Sequence, residues 1–129
     1  MSNNIGKQLA KYFQENPDDI ACVYLFGSQA RQQTKPVSDV GVAVLYKNKV
    51  PGGFDRLGIP LAGELEKIIK MPVDMIVLNN ANVDLIHNVL RDGIIVFESD
   101  RSIRIQFEVK SRNAYFDLKP YLDEYRRVG

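Results

Sequence analysis

The chain has 129 residues, of which 45% are hydrophobic and 26% charged, and its formal net charge is +1 at pH 7. The length suits one domain with a single core, and the proportions are globular and exclude a disordered chain. The near-neutral charge excludes a broad basic surface for an extended nucleic acid, whereas a nucleotide needs only a local site. We therefore expect one domain over residues 1–129.

Targeting and membrane signals are absent from the sequence. No apolar run approaches the ~20 residues that a membrane span needs. The start Met1–Asn4 lacks the basic and apolar stretches of a signal peptide. The single cysteine, Cys22, lies in an apolar run, which indicates a buried structural thiol and excludes an intramolecular disulfide. These features predict a cytoplasmic protein without a membrane partner.

The first elements follow from apolar spacing. Apolar residues at helical spacing from Ile5 to Phe13 predict a helix that Pro17 ends. The continuous apolar run Ile20–Phe26 predicts a strand buried on both faces, and Asp39–Leu45 predicts a second strand.

The sequence between residues 57 and 98 predicts a helix, a strand, a second helix and a second strand, in that order. The first of these helices ends before Pro72, and Gly93 is well placed as the C-terminal cap of the second. The segments are a helix through Leu57, Leu61, Leu65 and Ile68, a strand Val73–Leu78, a helix Asn82–Asp92 and a strand Ile94–Glu98.

The segment after the last strand has two interpretations. Apolar residues alternate over Ile103–Val109 as in a strand, but the absence of turn residues and the long polar continuation favour a helix. We expect that helix to be capped by Ser99 or Asp100 and to run to about Asn113.

A final short helix is predicted over about Leu118–Arg127, with Pro120 tolerated in its first turn. The order of elements predicts an α+β fold with one small mixed sheet and helices mainly on one face.

Three short segments carry candidate chemistry. After a buried strand, the turn Gly27-Ser28 can present backbone N–H groups and a hydroxyl to a phosphate, although Gly-Ser is also common in ordinary turns. Asp39, at the start of the next strand, can hold Mg²⁺ beside that turn. Asp74 is an isolated acid in an apolar strand, which is costly to bury unless it is paired or bound to a cation. The other interpretation of Asp74 is a solvent-facing residue.

Together, Gly27-Ser28-x-Ala30-Arg31, Ser38-Asp39 and Val73-Asp74 resemble the nucleotidyltransferase fold of the polymerase-beta superfamily. The resemblance covers nearly the whole chain and is closest to the minimal nucleotidyltransferases. It implies transfer of a nucleoside monophosphate from a triphosphate to a hydroxyl, with ATP and Mg²⁺ as cofactors. Many minimal members are antitoxins that adenylylate a tyrosine of a HEPN-domain ribonuclease toxin, so the resemblance also implies that toxin as the partner.

The resemblance assigns roles to individual residues. Gly27 and Ser28 match the turn that holds the triphosphate, and Arg31 matches a position that either supports phosphate or braces the loop. Asp39 matches the first carboxylate of an Asp-x-Asp pair. Asp74 matches a third carboxylate, which binds metal near the attacking hydroxyl and can accept its proton. The resemblance thus implies Asp39 and Asp74 as catalytic residues and metal ligands.

The second carboxylate of the pair belongs at position 41, where this chain has Gly41. Side chains two residues apart on a strand point to the same side, so a pair at 39 and 41 would clamp metal ions jointly. We expect impaired transfer in this chain, unless another carboxylate such as Asp55 or Glu64 substitutes.

Two other functions remain open from the sequence. The chain is alternatively a catalytically inactive module that binds nucleotide or neutralises its toxin stoichiometrically, which Gly41 favours. Transfer to a small molecule such as an aminoglycoside is disfavoured because nothing supplies a second lobe for the acceptor. Tyr121, Tyr125 and Arg126 belong to a basic, tyrosine-rich C-terminal third that is either a solvated face or a toxin-docking surface. His87 is expected to be a surface or partly packed residue.

Overall fold

The described part of the chain folds into four long helices, four strands and one short 3-10 helix. The structure is a computed structural model that describes residues 2–17, 19–27, 40–48 and 55–128, with side chains except at 2–4, 55–60, 122 and 125–128. The elements are α1 (Ser2–Glu15), β1 (Ile20–Phe26), β2 (Val40–Tyr46), α2 (Asp55–Ile69), β3 (Val73–Val77), the 3-10 helix (Leu78–Asn80), α3 (Val83–Asp92), β4 (Ile94–Glu98) and α4 (Arg101–Val128).

The four strands form one mixed sheet in the order β3-β2-β1-β4. β1 pairs antiparallel with β2 and β4, whereas β3 pairs parallel with β2. The central strands β1 and β2 are buried at every position except the last. Their continuous apolar sequence is what a strand covered on both faces requires. The α+β class and the small mixed sheet predicted from the sequence are confirmed.

Helices cover both faces of this sheet. On one face α1 and α2 contribute Leu9, Phe13 and Leu65 to a core with alternate residues of β1 and β2. On the other face α3 and α4 pack over the remaining strand residues, with Ile86 and Val89 buried there. The expectation that helices lie mainly on one face is therefore wrong, because two strands with no polar face need cover on both sides.

A bulge early in β1 brings consecutive residues to the same face. The pairing of β1 with β2 shifts between Ile20 and Cys22. As a result Ala21 and Cys22 both join the core under α3 and α4. Burial raises the pKa of the Cys22 thiol to about 12, so it stays protonated at neutral pH. The prediction of a buried structural cysteine is confirmed.

Caps set the ends of the predicted elements. β1 and β4 have the predicted bounds, while β3 ends at Val77 because Leu78 begins the 3-10 helix. Asn82 precedes α3, and its side chain accepts a hydrogen bond of 2.8 Å from the Leu85 N–H. Gly93 follows α3 in an extended conformation (φ −80°), with its N–H bonded to the Val89 carbonyl.

The C-terminal segment is one helix rather than two. α4 runs without a break from Arg101 to Val128 and contains Pro120 in its interior. The predicted end near Asn113 and the separate helix Leu118–Arg127 are therefore wrong. Asp100 is the cap, since its side chain accepts a 3.0 Å hydrogen bond from the Ile103 N–H. No helix in the described ranges is both long and apolar enough to cross a membrane.

Candidate functional site

Three residues of the candidate site form a row across the sheet. Phe26 in β1 is paired with Gly41 in β2, and Gly41 is paired with Asp74 in β3. Residues directly opposite on neighbouring strands project from the same face. The row lies on the α3/α4 face, since Ile76, two residues after Asp74, packs in that core. The structure thus places Asp74 beside the position where the resemblance implies a missing carboxylate.

The register of β3 against β2 is held at both ends. At the start, the Val40 N–H donates to the Pro72 carbonyl at 2.9 Å. At the end, the Asn79 side-chain amide accepts from the Tyr46 N–H at 2.9 Å and donates to the Tyr46 carbonyl at 3.0 Å. Asp74 is therefore positioned by backbone pairing that does not involve its own side chain.

Gly27 follows β1 directly and has a backbone that only glycine adopts readily. Its φ is +87°, in the left-handed region. A Cβ on Gly27 would lie 3.9 Å from the Gly41 nitrogen, so the turn starts within contact of the row. Ser28, Arg31 and Asp39 lie outside the described residues. Their assigned roles remain predictions.

Asp74 is an exposed residue of an edge strand. Asp74 faces solvent, so its carboxylate does not need a bound cation to offset the cost of burial. Within the described ranges no hydrogen bond or ion pair engages the carboxylate, and no group of three His, Cys, Asp or Glu side chains has metal-site geometry. Mg²⁺ commonly takes one or two carboxylates plus substrate phosphates, and an unengaged Asp74 carboxylate fits that kind of site.

The space over Gly41 is filled by an aromatic ring. A Cβ built on Gly41 would lie 2.7 Å from Cε2 and 2.8 Å from Cδ2 and Cζ of Phe26. Phe26 is absent from the residues that the sequence motifs single out. In the sequence, the signal for this contact is Gly41 itself, because a glycine inside an otherwise apolar strand indicates a close approach by a neighbour.

Of the two substitute carboxylates proposed from the sequence, Glu64 does not join the row. Glu64 is exposed on α2, next to Leu65, which packs on the opposite face of the sheet. It therefore cannot complete a site beside Asp74. The side chain of Asp55 lies outside the described residues.

A partly buried polar network lies next to the row and joins α4 to the sheet. The Tyr24 hydroxyl donates to Oε2 of Glu108 at 2.6 Å, and Nη1 of Arg104 donates to the same oxygen at 2.9 Å. Arg104 also pairs with Glu98 of β4. Burial, followed by the hydrogen bond to Glu108, raises the pKa of Tyr24. This network is structural, because its members are engaged with one another.

A cavity of about 290 Å³ opens beside β3 but does not coincide with the row. Asp74, Gly27 and Gly41 are not among the residues that line it. The lining residues are Met75, Ile76, Val77, Asn80, Ala81, Asn82 and Leu85.

The remaining sequence candidates lie on α3 and α4. His87 stacks on Tyr115 with ring centroids 3.6 Å apart and planes 3° from parallel. It is partly buried, in agreement with the prediction of a surface or partly packed residue. Tyr121 is 72% exposed, while the side chains of Tyr125 and Arg126 lie outside the described set.

Comparison with protein families gives one match, and it spans most of the chain. The family model described as "Polymerase beta, Nucleotidyltransferase" matches residues 7–102. A search of curated proteins found no match.

Solved structures with the same fold come from toxin–antitoxin complexes. A chain from a toxin-antitoxin crystal structure with AMP-PNP has a TM-score of 0.74 at 21% identity, covering 94% of this chain and 98% of the other. A chain from a structure of a tri-AMPylated Shewanella oneidensis HEPN toxin in complex with MNT antitoxin has a TM-score of 0.71 at 20% identity, covering 98% and 99%. At these identities the similarity establishes the fold.

Proposed function

Because the chain belongs to the polymerase beta nucleotidyltransferase family, we propose that it is an antitoxin that transfers AMP from ATP to a tyrosine hydroxyl of a HEPN-domain toxin. The family membership confirms the resemblance drawn from the sequence motifs. The observation that carries the proposal is the row on the sheet, in which Asp74 is paired with position 41, and position 41 lies in turn beside Gly27. The similar structures with AMP-PNP and with a tri-AMPylated HEPN toxin support the donor and the acceptor.

The proposed reaction is a displacement at the α-phosphorus of ATP. The acceptor hydroxyl oxygen forms a bond to that phosphorus, the bond to the bridging oxygen breaks, and pyrophosphate leaves. The hydroxyl proton passes to the carboxylate of Asp74, which is exposed and unengaged in the described part of the chain. The backbone at Gly27, with Ser28 and Arg31, holds the triphosphate. Positioning and charge stabilisation supply most of the catalysis in such transfers.

Mg²⁺ would be held by Asp39, Asp74 and the phosphate oxygens. When bound, it supplies charge neutralisation for the attacking and leaving oxygens. Gly41 offers no side-chain ligand, so the site has one carboxylate fewer than the Asp-x-Asp pattern implies. We expect transfer to be slower in this chain for that reason.

A second candidate function is neutralisation of the toxin by binding alone. Gly41 favours it, because a site with one ligand fewer can retain the partner surface without turnover. The two functions differ in whether the toxin gains an adenylyl group.

The test uses the complex of the full chain with its HEPN toxin and ATP labelled at the α-phosphate. Label on a toxin tyrosine supports transfer, and Asp74→Asn should lower the rate by about 10²–10³, the range for a lost transition-state interaction. Glu64→Gln is the control, since that exposed residue lies on the opposite side of the sheet and should leave the rate unchanged. An unlabelled toxin in a stable complex would contradict transfer and support neutralisation by binding.

A further inference from the structure

We propose that Glu66 is a positioning residue for the transfer of AMP, because its side chain holds the start of the strand that carries Asp74. The inference rests on the proposed function for the metal and the reaction, whereas the contact itself is a feature of the fold. Glu66 acts through the backbone of β3 and does not itself bind nucleotide or metal.

The peptide group between Pro72 and Val73 is hydrogen-bonded on both sides. Its carbonyl accepts from the Val40 N–H of β2 at 2.9 Å. Its N–H points the other way, as in any trans peptide, and donates to Oε2 of Glu66 at 2.9 Å. Because β3 is an edge strand, this outward N–H has no strand to pair with, and the carboxylate of Glu66 serves as its partner.

This peptide group links the chain segments of both proposed metal ligands. Asp74 follows Val73 in the sequence, and Asp39 precedes Val40. Val40 and Val73 are register partners, so their pair connects the two acidic positions. A shift of the peptide between Pro72 and Val73 would therefore change the separation at which the two carboxylates meet a metal ion.

Glu66 also closes the connection between α2 and β3. Its backbone carbonyl accepts from the Lys70 N–H at 2.8 Å, so its main chain and its side chain bind the two ends of the segment 70–73. Lys70 leaves the helix with φ +58°, a left-handed value that is uncommon outside glycine. The neighbours of Glu66 on α2, Leu65 and Ile69, are buried in the core. The start of β3 is thus tied to a helix that is itself packed on the sheet.

The exposure of this hydrogen bond fits a positioning role better than a stabilising one. Water can replace the Glu66 carboxylate at an exposed N–H, so loss of the bond should cost little global stability. The same loss frees the outer side of the strand start beside Asp74. Groups that orient metal ligands commonly change metal affinity or activity by about 10- to 100-fold when they are removed. Changes at Glu66 should therefore separate the geometry of the site from the stability of the fold.

The contact is tested first, by amide exchange of the full chain without nucleotide or metal. Glu66→Ala should speed exchange of the Val73 N–H by about three- to tenfold, the equivalent of one hydrogen bond. Glu66→Gln keeps an acceptor oxygen at the same reach and should exchange at nearly the natural rate. Tm should change by less than about 5 °C in both variants. Equal Val73 exchange in the natural chain and in Glu66→Ala would overturn the proposal.

Glu64→Ala is the matched control. It removes the same side chain from an exposed position of the same helix, and no hydrogen bond joins Glu64 to β3 in the described part of the chain. The control should leave the exchange of the Val73 N–H unchanged. An effect as large as that of Glu66→Ala would contradict a specific role of Glu66.

Metal binding tests the positioning. Mn²⁺ binding with a non-hydrolysable ATP analogue, measured by electron paramagnetic resonance, should weaken at least about tenfold in Glu66→Ala. Glu66→Gln should bind Mn²⁺ as the natural chain does, which separates the hydrogen bond from the charge of Glu66. An Mn²⁺ affinity that is unchanged in Glu66→Ala, or equally weakened in Glu66→Gln, would contradict an action through the Val73 N–H.

The two proposals fail in different ways. If the natural chain neither binds Mn²⁺ with the analogue nor labels its proposed toxin partner, the proposed function is wrong and the positioning role falls with it, while the exchange measurement still decides whether Glu66 holds Val73. If the natural chain labels the partner and Glu66→Ala labels it at the same rate, the proposed function stands and the positioning role of Glu66 is wrong.

Discussion

Two glycines of this chain differ in the space around them, and alanine should therefore have opposite effects at the two positions. A Cβ at Gly93 would lie 2.6 Å from the Val89 carbonyl oxygen, whereas one at Gly6 in α1 would lie 3.7 Å from Cγ1 of Val96. We expect Gly93→Ala to lower the free energy of unfolding by about 1–3 kcal/mol. Gly6→Ala should raise it by about 0.5–1 kcal/mol, since glycine is unfavourable within a helix. Urea unfolding measures both, and a loss at Gly6 would show that its surroundings are tighter than the structure has them.

Arg104 determines the pKa of Glu98 on β4. The pKa of Glu98 is lowered, chiefly by its hydrogen bond from Arg104. A carboxyl whose pKa is lower in the folded than in the unfolded state stabilises the fold at pH values above its unfolded pKa of about 4.3. This stabilisation is lost as the pH falls through the folded pKa. Arg104→Gln should move the pKa of Glu98 up toward its ordinary value, and should make stability fall less steeply below about pH 4. Side-chain NMR titration of Glu98 measures the shift.

Arg112→Gln is the control for that titration. Arg112 contacts Glu108 at 3.5 Å and is about half exposed. It is not among the causes of the Glu98 shift, so its removal should leave that titration unchanged. A Glu98 pKa that stays low in Arg104→Gln would show that another group holds it.

At the scale of the element, α4 contains a proline that removes one of its hydrogen bonds. Pro120 has no N–H to donate to the Phe116 carbonyl. We expect Pro120→Ala to slow amide exchange in the flanking turns at least about tenfold, because an interior proline costs a helix about 3 kcal/mol. Global stability should change little, since most described side chains in this part of the helix are exposed.

The same exchange measurement on Lys119→Ala provides the control. Lys119 pairs with Asp123 at 2.7 Å, and both side chains are about half exposed. Such a surface pair contributes at most about 1 kcal/mol, so exchange should change far less than in Pro120→Ala. Similar exchange in both variants would mean that the helix is not limited by the proline.

Elements with a strong local pattern were predictable, whereas the continuity of α4 depends on packing. β1 and β4 have apolar runs bounded by polar or turn residues, which fixes their ends. The polar stretch near Asn113 and Pro120 together predicted a break. Tertiary contacts outweigh that local signal, because Tyr115 is buried against α3 and stacks on His87.

The candidate site was predictable only in part. The motifs identify Gly27 and Asp74, and the structure gives Gly27 the unusual dihedral and Asp74 its place in the row. The contact of Phe26 with Gly41 depends on the register of β1 against β2, which one strand's sequence does not specify.

At the scale of the whole molecule, α4 presents a surface suited to a protein partner. Phe116 and Tyr121 are 65% and 72% exposed, and tyrosine and arginine are enriched where interfaces concentrate their energy. We expect a triple change of Tyr121, Tyr125 and Arg126 to alanine to weaken the complex with the proposed HEPN-domain partner by at least about tenfold, as loss of interface hot spots does. Isothermal titration calorimetry measures the affinity.

Two controls accompany the triple variant. Its Tm should stay near that of the natural chain, because Tyr121 makes little contact with the core. Lys67→Ala, at an exposed position of α2, should leave the affinity unchanged. Unchanged co-purification of the triple variant with the toxin would exclude this surface as the docking site.

The contact between Phe26 and Gly41 makes the two positions interdependent. Any side chain added at position 41 starts within 2.8 Å of three ring atoms of Phe26, so the ring and the new side chain must rearrange together. Substitutions at residues in direct contact do not act independently. The effect of a change at position 41 therefore depends on which residue occupies position 26.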